Sequence, residues 1–406
     1  MTPSGFDAVA LNALTPDVLR GNGSLKWTAF APALGAWVAE MDLGVAPPIR
    51  EALIGMVDHG RFGYTSPALS QELAQATAGF VADRYGWSID PAMVALVPDV
   101  LAGLAVVMDH YARPGAKIIL PTPCYMPFVT LPGVHGHEVI QVPMQDGVLA
   151  LDDLAAAFDQ GGQLLIWCDP HNPTGRVASR EEMTAVAELV ASRGGLVFSD
   201  EIHAPLVYPD ARHVPFASVS GIAAGCTITA MSASKAWNLA GLKCAQLVFS
   251  NPAHRASWDA GLRYFAGEPA MPGILANIAA YTAGGPWLAD ALSYLDANRR
   301  RLTTRLQEAE ARTGLIIEPG QATYLAWIDA RKLGVADAKQ FLLERAGVAV
   351  NDGALCGDAG RGYLRLNYAT PTPVLDEIID RILTAVEDFA RGEVAGRRDA
   401  DSRLAG

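Results

Sequence analysis

Three apolar segments in the middle of the sequence each end in polar, ionisable residues. The motifs DPHNPTG, DEIH and SASK follow these segments in turn, and they contain Asn172, Asp200 and Lys235. In open α/β sheets, ligands bind outside the carboxyl ends of the strands. We therefore expect these three side chains to face one crevice, although they are distant from one another in the sequence.

The three residue types suit one kind of chemistry. An aspartate at the end of a buried strand can hold a protonated ring nitrogen, and an asparagine amide can donate to a phenolate-like oxygen. A lysine in a partly apolar site can lose its proton and attack a carbonyl carbon. Hydroxyls beside it, together with a helix N-terminus, can hold a phosphate. An aldehyde, a ring nitrogen, a ring oxygen and a phosphate are the functional groups of pyridoxal 5'-phosphate.

Each of these residues, taken alone, has a simpler explanation. Asp200 suits a helix cap, Asn172 suits a turn, and a lysine such as Lys235 is usually exposed. Their placement at successive strand ends favours the chemical interpretation. Two other motifs are weaker: HGHE at 135–138 favours a turn over a metal site, and GNG at 21–23 lacks the third glycine of a dinucleotide fingerprint.

The hydrophobic pattern predicts an α/β fold around these motifs. Short apolar runs without alternation indicate strands that are covered on both faces. Helical segments between them indicate a mostly parallel sheet flanked by helices. The predicted strands are 117–120, 138–142, 163–168, 195–199, 226–231 and 245–250, and the predicted helices are 48–59, 70–85, 99–112 and 179–193.

We expect a large domain over residues 48–290 and a smaller α+β domain over residues 291–390, which the N-terminal residues 1–47 join. Residues 391–406 are polar, with Arg and Asp interspersed, and are predicted to form a flexible tail. The predicted elements of the small domain are helices over 296–312, 336–346 and 373–390 and strands over 324–328 and 363–367.

Composition limits the classes of function. The 406 residues are 50% hydrophobic and 18% charged, which suits a folded protein with a large core. A net charge of −12 does not favour binding to nucleic acid or to an anionic membrane, both of which are negatively charged. No apolar stretch approaches the roughly 20 residues that span a bilayer. The five cysteines form no CxxC pair and residues 1–20 lack the pattern of a signal peptide, so we expect a cytoplasmic protein.

These motifs resemble those of the fold-type I pyridoxal-phosphate enzymes, the aspartate aminotransferase superfamily. The resemblance rests on the NPTG turn, the DEIH motif and SASK with a basic residue eight positions further on. WVAEMD at 37–42, HGRFGY at 59–64 and SASKAWNLAGL at 232–242 are similar to motifs of the MalY/PatB-type cystathionine β-lyase subgroup. The resemblance implies the aminotransferase-like fold, with a large cofactor-binding domain and a small domain.

The resemblance also implies a role for each matching residue. Lys235 matches the lysine that holds the cofactor covalently and later moves the Cα proton of the substrate. Asp200 matches the carboxylate that pairs with the ring nitrogen, and Asn172 matches the donor to the ring oxygen. Tyr125 matches the aromatic residue that stacks on the ring, and His203 stands where aminotransferases usually carry tyrosine.

Five further residues match positions on the phosphate side of the cofactor. They are the side chains of Ser232, Ser234 and Lys243 and the backbone N–H groups of Val100 and Leu101 at a helix start. Lys243 departs from the family, because many relatives carry arginine there. A lysine offers the phosphate a point charge in place of the two-pronged guanidinium.

The remaining matches concern the substrate and a partner subunit. Arg365 matches the arginine that binds the substrate α-carboxylate, a bidentate task for a guanidinium. Ala39 and Trp37 belong to WVAEMD at 37–42, here called the tryptophan motif, and match positions that face the substrate. Tyr64 matches a tyrosine that reaches the phosphate of the partner subunit, which implies a homodimer with shared active sites. VPDV at 97–100 departs from the more common Thr/Ser-Pro-Gly-Val of the subgroup.

The function implied by the resemblance is β-elimination of a thiol from cystathionine or a related cysteine S-conjugate, which gives pyruvate and ammonia. Two alternatives stay open. An aminotransferase acting on an L-amino acid needs the same Lys235 and Asp200, and a regulatory protein could bind pyridoxal phosphate and act through protein contacts. The tryptophan motif and His203 favour the lyase.

Overall fold

The computed structural model describes the backbone of residues 4–404 and the side chains of residues 4–392. Its strands are β1 (Leu34–Gly35), β2 (Val94–Val97), β3 (Lys117–Thr122), β4 (Val139–Pro143), β5 (Gly162–Cys168), β6 (Leu196–Asp200), β7 (Thr227–Met231), β8 (Ala245–Phe249), β9 (Ile316–Ile317), β10 (Leu325–Asp329), β11 (Val348–Ala349), β12 (Asn351–Asp352) and β13 (Tyr363–Asn367).

The α-helices of the described residues surround these strands. They are α1 (Ala8–Asn12), α2 (Pro16–Gly21), α3 (Leu25–Thr28), α4 (Pro47–Asp58), α5 (Pro67–Tyr85), α6 (Val100–Tyr111), α7 (Met126–Val134), α8 (Leu151–Asp159), α9 (Arg180–Ser192), α10 (Gly221–Cys226), α11 (Pro252–Ser257), α12 (Arg263–Ala266), α13 (Met271–Ala283), α14 (Gly285–Thr313), α15 (Ala338–Phe341) and α16 (Thr372–Leu404).

A seven-stranded sheet forms the centre of the large unit, in the order β2-β8-β7-β6-β5-β3-β4. Strands β3 to β7 pair in parallel, whereas β8 runs antiparallel to both of its neighbours. The prediction of a mostly parallel α/β sheet is confirmed, and each of the six predicted strands is present. The hydrophobic pattern did not predict β2, which is a short strand at the edge of the sheet.

Both faces of this sheet are buried, which explains why its strands read as continuous apolar runs. Along β5, Leu164 and Ile166 pack into a core shared with α6, while Leu165 and Trp167 pack into a second core shared with α8 and α9. Successive side chains of a strand point to opposite faces, so both faces of β5 meet an apolar layer.

Local sequence signals start and stop the long helices of the large unit. The side chain of Ser66 accepts the N–H of Leu69 at the start of α5, and Ser179 accepts the N–H of Glu182 at the start of α9. These are N-caps of the expected residue type. Helix α5 ends at Gly86, whose φ of 69° is in the left-handed region that glycine tolerates.

A second, antiparallel sheet in the order β12-β13-β10-β9 forms the smaller α+β unit, which α14 and α16 accompany. The N-terminal segment contacts this unit: β1 pairs in parallel with β11, and the N–H of Asp42 donates to the carbonyl of Ala369. The assignment of residues 1–47 to the small domain stays a prediction, and the structure shows three short helices in this segment.

The final helix is longer than predicted. The sequence pattern indicated a helix over 373–390 followed by a tail over 391–406, whereas α16 continues to Leu404. The side chains beyond residue 392 lie outside the described part of the chain. Among the described residues, no helix combines the length and the apolar character that crossing a membrane requires.

Candidate active site

The register of the sheet brings the three predicted residues to one edge. Cys168 at the end of β5 pairs with Asp200 at the end of β6, and Asp200 pairs with Ala230 near the end of β7. Asn172 follows the first of these strands and Lys235 follows the last. The three carboxyl ends are therefore level, as the sequence pattern predicted, and they open toward the small unit.

The amine of Lys235 is placed to act as a nucleophile. Its Nζ donates to the carbonyl of Ala39 at 3.2 Å. Burial, with the positive charge of Arg365, lowers the pKa of Lys235 to about 8, while the negative charges of Asp200 and Glu40 act in the opposite direction. A substantial fraction of this amine is therefore neutral near pH 8, and a neutral amine can attack an aldehyde carbon.

Asp200 is a buried carboxylate that has no cation in contact with it among the described side chains. Its Oδ1 accepts the N–H of Ile202 at 3.1 Å, and 4% of the residue is exposed. Burial raises the pKa of Asp200 to about 7, although the Ile202 N–H and the charge of Lys235 oppose this. A protonated ring nitrogen placed here would supply the missing cation, so this carboxylate fits a pyridinium.

Arg365 fixes the orientation of the Asn172 amide. Its Nη1 donates to Asn172 Oδ1 at 3.0 Å, and its Nη2 donates to the carbonyl of Trp37 at 3.3 Å. Because the amide oxygen of Asn172 is occupied, its NH₂ group is left to donate to a ring oxygen. Arg365 lies on β13 opposite Trp327 and is buried, yet its Nε has no partner among the described residues.

A second unsatisfied buried atom lies in the same region. The Nδ1 of His203 has no hydrogen-bond partner in the described part of the chain. Burial and the positive charges of Lys235 and Arg365 hold the pKa of His203 well below its usual range, so the imidazole is neutral. Unpaired buried polar atoms are rare in proteins, so His203 Nδ1 and Arg365 Nε are both open to a polar ligand.

A pocket of about 300 Å³ joins the substrate-side residues. Its walls include Trp37, Ala39, Tyr125, Lys235 and Arg365, and apolar residues of α7 complete it. Tyr125 directly precedes α7, and its ring lies edge-on to Phe128 at 5.3 Å. Every predicted substrate-side residue thus borders this pocket. A larger cleft of about 870 Å³ lies elsewhere and contains none of these residues.

The predicted phosphate-side residues lie in two small groups. Val100 and Leu101 begin α6, where Asp99 caps the helix by accepting the N–H of Ala102 at 2.8 Å. The Nζ of Lys243 lies 2.9 Å from the other oxygen of Asp99. Lys243 is thus at the start of α6, as its predicted role requires, although a carboxylate now shares its charge.

The two serines form the second group, and their hydroxyls differ in availability. Ser232 Oγ donates to the carbonyl of Cys244 at 2.6 Å and accepts the N–H of Ser234 at 3.0 Å. Ser232 is buried, whereas Ser234 is half-buried. In this arrangement Ser232 holds the turn that leads to Lys235, and the hydroxyl of Ser234 is the better placed donor for an anion.

Tyr64 does not line the pocket of its own chain. Its side chain is 97% exposed in the loop before α5. An aromatic residue this exposed cannot contribute to the site of the same protomer, so its predicted role depends on a partner subunit.

Residues outside the predicted set hold the tryptophan motif in place. Residues 37–42, here called the tryptophan strap, carry the carbonyl of Ala39 that Lys235 contacts. Asn238 exchanges two hydrogen bonds of 2.9 Å with the backbone of Met41. The buried Nζ of Lys26 lies 2.7 Å from Asp42. Asn238 belongs to the SASKAWNLAGL motif, and this membership could have identified it as a site residue. No sequence pattern indicated a role for Lys26.

The family comparison agrees with this geometry. A model of the family described as aminotransferase class I and II matches residues 39–382. The chain therefore belongs to the class I and II aminotransferase family.

Particular relatives narrow the similarity. The chain is 36% identical over 373 residues to a cystathionine beta-lyase of Corynebacterium glutamicum, covering 91% of this chain and 98% of the relative. It is 33% identical to cystathionine beta-lyase PatB of Bacillus subtilis, covering 90% and 97%. A crystal structure from Corynebacterium diphtheriae, assigned as a PLP-dependent beta-cystathionase, superposes with a TM-score of 0.87 at 39% identity, covering 92% and 98%.

Proposed function

We propose that this chain is a pyridoxal-phosphate-dependent carbon–sulfur lyase. It eliminates a thiol from Cβ of cystathionine or a related cysteine S-conjugate and yields pyruvate and ammonia. The relatives named cystathionine beta-lyase support this choice, since they align over nearly their whole length. The observation that carries the proposal is the meeting of Lys235 and Arg365 in one pocket, with Asp200 at the end of β6, the strand next to β7. Burial lowers the pKa of this lysine to about 8.

The residues divide the reaction between them. Pyridoxal phosphate, when bound, takes up the substrate amino group at its aldehyde carbon and withdraws electrons from Cα. Asp200 holds the ring nitrogen in its protonated form, which strengthens that withdrawal. Arg365 binds the substrate α-carboxylate through its guanidinium. Asn172 donates to the ring oxygen, and Tyr125 stacks on the ring.

Lys235 moves the proton that starts the elimination. After the substrate amine has displaced it, the lysine is again a free amine, and it removes the proton from Cα. The electron pair of the Cα–H bond forms the Cα=Cβ double bond, while the Cβ–S bond breaks and the thiolate leaves with its pair. The proton on Lys235 passes to the leaving thiolate, and the neutral lysine would then displace the product from the cofactor and regain its own place there. Water hydrolyses the released enamine to pyruvate and ammonia, so atoms and charges balance.

The leaving thiolate meets mainly apolar walls. Apart from Lys235 and Arg365, the pocket residues of the described chain carry no charge, and Met126, Pro127 and Leu355 are among them. Such a wall distinguishes leaving groups by only about 1–3 kcal/mol per methylene. This supports the wider assignment to cysteine S-conjugates, of which cystathionine is one.

A product assay tests the proposal against its two alternatives. Purified protein with bound cofactor is incubated with L-cystathionine, and separately with alanine and no keto acid. Catalytic release of pyruvate and thiol supports the lyase. Stoichiometric conversion of the cofactor to its pyridoxamine form, without thiol release, overturns it in favour of an aminotransferase. Retained cofactor with neither product overturns it in favour of the regulatory alternative.

We also propose that the chain acts as a homodimer with shared sites. Tyr64 and Phe62 are 97% and 69% exposed, and Tyr264 and Phe265 are 76% and 68% exposed. Thr65, which follows Tyr64, and Tyr264 line the same cleft of about 870 Å³. Exposed aromatic residues that adjoin such a cleft in the sequence favour an interface there. The free cysteines, none of them disulfide-bonded in the described chain, support a cytoplasmic location.

Mixed dimers test whether Tyr64 acts in the partner's site. Tyr64→Ala and Lys235→Ala chains are each expected to be inactive or nearly so. A mixed dimer then has one site that lacks both residues and one site that is complete. Random mixing of equal amounts should restore roughly a quarter of wild-type activity. If the mixture stays as inactive as its components, Tyr64 does not act across the interface.

A further inference from the structure

A buried cluster of three ionisable side chains lies behind the site and has no part in the mechanism above. His213 Nδ1 is 3.1 Å from Asp169 Oδ2, and His213 Nε2 is 2.9 Å from Glu201 Oε2. All three residues are at most 3% exposed. His213 comes from the long connection between β6 and β7, while the two carboxylates come from the ends of β5 and β6.

The other oxygen of each carboxylate also accepts hydrogen bonds. Asp169 Oδ1 accepts the N–H of Ala178, and Glu201 Oε1 accepts from the hydroxyl of Ser199 and the N–H of Phe216. Each ring nitrogen of His213 therefore faces a carboxylate oxygen, and two such acceptors favour an imidazole that carries a proton on both nitrogens. Burial alone would lower the pKa of His213, but its hydrogen bonds to Asp169 and Glu201 outweigh it and raise the pKa to about 9.

The cluster connects the two strand ends that carry site residues. Asp169 directly follows β5, and Asn172 is three residues further on. Glu201 directly follows Asp200, the last residue of β6. The backbone N–H of Asp169 also donates to the carbonyl of Asp200 at 3.1 Å. A cation shared by Asp169 and Glu201 therefore links the two chain segments that carry Asn172 and Asp200.

We propose that His213 is a positioning residue for the cofactor. Its imidazolium joins the ends of β5 and β6 and offsets the negative charge of Glu201, which lies next to Asp200. The inference rests on the proposed function for the identity of the cofactor, but it concerns how the protein maintains Asp200 as a carboxylate. The cluster does not touch the substrate, so His213 is not a catalytic residue.

Removing His213 should act on Asp200 through charge. Glu201 already raises the pKa of Asp200, although burial contributes more. Without the cation between them, Asp169 and Glu201 become two buried carboxylates with no counter-charge, which is strongly unfavourable. Asp200 then favours its neutral form and holds a protonated ring nitrogen less tightly. At pH 6, a rise of about one unit in the pKa of Asp200 lowers the ionised fraction of this carboxyl group about tenfold and weakens its hold on the ring nitrogen accordingly.

Cofactor affinity measures this effect without relying on turnover. Apoprotein is titrated with pyridoxal phosphate at pH 6, and the Kd is compared between wild type and His213→Gln. We expect the Kd to rise about tenfold or more. Arg299→Gln is the matched control, because Arg299 also lies between two carboxylates, Asp296 and Asp210, away from the site. Its Kd should stay within about twofold of wild type.

A double variant separates the charge effect from general destabilisation. In His213→Gln with Glu201→Gln, the uncompensated charge beside Asp200 is gone, so the Kd should return to within about threefold of wild type. The melting temperatures of the apoproteins are recorded alongside, so that loss of stability is distinguished from loss of affinity. If His213→Gln alone does not fold, the Kd of the double variant is the measurement that decides.

Three results would overturn the inference. They are an unchanged Kd in His213→Gln, an equal loss in Arg299→Gln, and a double variant that binds at least tenfold more weakly than wild type. The same preparations are assayed with cystathionine. If wild-type protein binds pyridoxal phosphate but releases no thiol, the proposed function fails while the role of His213 is still decided by the Kd values.

Discussion

Replacing Asp200 with asparagine should stabilise the apoprotein and at the same time weaken its use of the cofactor. Asn has nearly the same shape and removes only the charge. Burial raises the pKa of Asp200 from its usual 3.8 to about 7. The folded apoprotein therefore binds this proton more tightly than the unfolded chain does.

The sign and size of the effect follow from that difference. Because the folded state binds more protons between pH 3.8 and 7, the free energy of unfolding falls as the pH rises through this window. The loss amounts to ~4 kcal/mol once the pH is above 7, and roughly 2–3 kcal/mol of it falls between pH 5 and pH 8. Asp200→Asn removes this dependence.

Urea unfolding of the apoproteins at pH 5 and pH 8 measures the prediction. The advantage of Asp200→Asn over wild type should be larger at pH 8 than at pH 5 by about 2–3 kcal/mol. Asp83→Asn removes an exposed carboxylate from α5 and is the control, for which we expect no such difference. If the Asp200→Asn variant exceeds wild type in free energy of unfolding by the same amount at both pH values, burial does not raise the pKa of this carboxyl group.

Three further outcomes are expected. The rate at which apoprotein captures pyridoxal phosphate should rise about tenfold per pH unit up to about pH 8 and then level off, because only neutral Lys235 attacks; a flat stopped-flow profile from pH 6 to 8 would contradict this. Arg365→Lys should lower kcat/KM about 10- to 100-fold, mainly through KM, because one ammonium replaces a two-pronged contact; an unchanged KM would argue against carboxylate binding there. Asn238→Ala should lower kcat/KM about tenfold and leave the cofactor Kd unchanged, because Met41 of the tryptophan strap loses two hydrogen bonds. Wild-type kinetics would show that Asn238 does not position the tryptophan strap.

The sequence allowed the sheet and the site-bearing strand ends to be predicted because both depend on local patterns. Strand β6 begins with three apolar residues and ends in Asp200, so its position and its ligand-facing end could be located together. Strand β2 was missed because it is a four-residue edge strand between a turn and Pro98. The direction of β8 depends on the path of the chain after Lys235, which hydrophobic pattern does not encode.

Contacts between distant segments were the part that could not be predicted. The pairing of Lys243 with Asp99 depends on how β8 approaches the start of α6. His213 lies in an irregular connection with no motif around it, and its two carboxylate partners belong to different strands. A single sequence contains the residue types of such clusters but not their proximity.

We predict that one lysine, Lys235, which follows β7, captures the cofactor. Holoenzyme is reduced with borohydride, digested and analysed by mass spectrometry. We predict a single pyridoxyl group, and we predict it on the peptide that contains Lys235. A pyridoxyl group on another lysine, or on no peptide at all, would contradict the account.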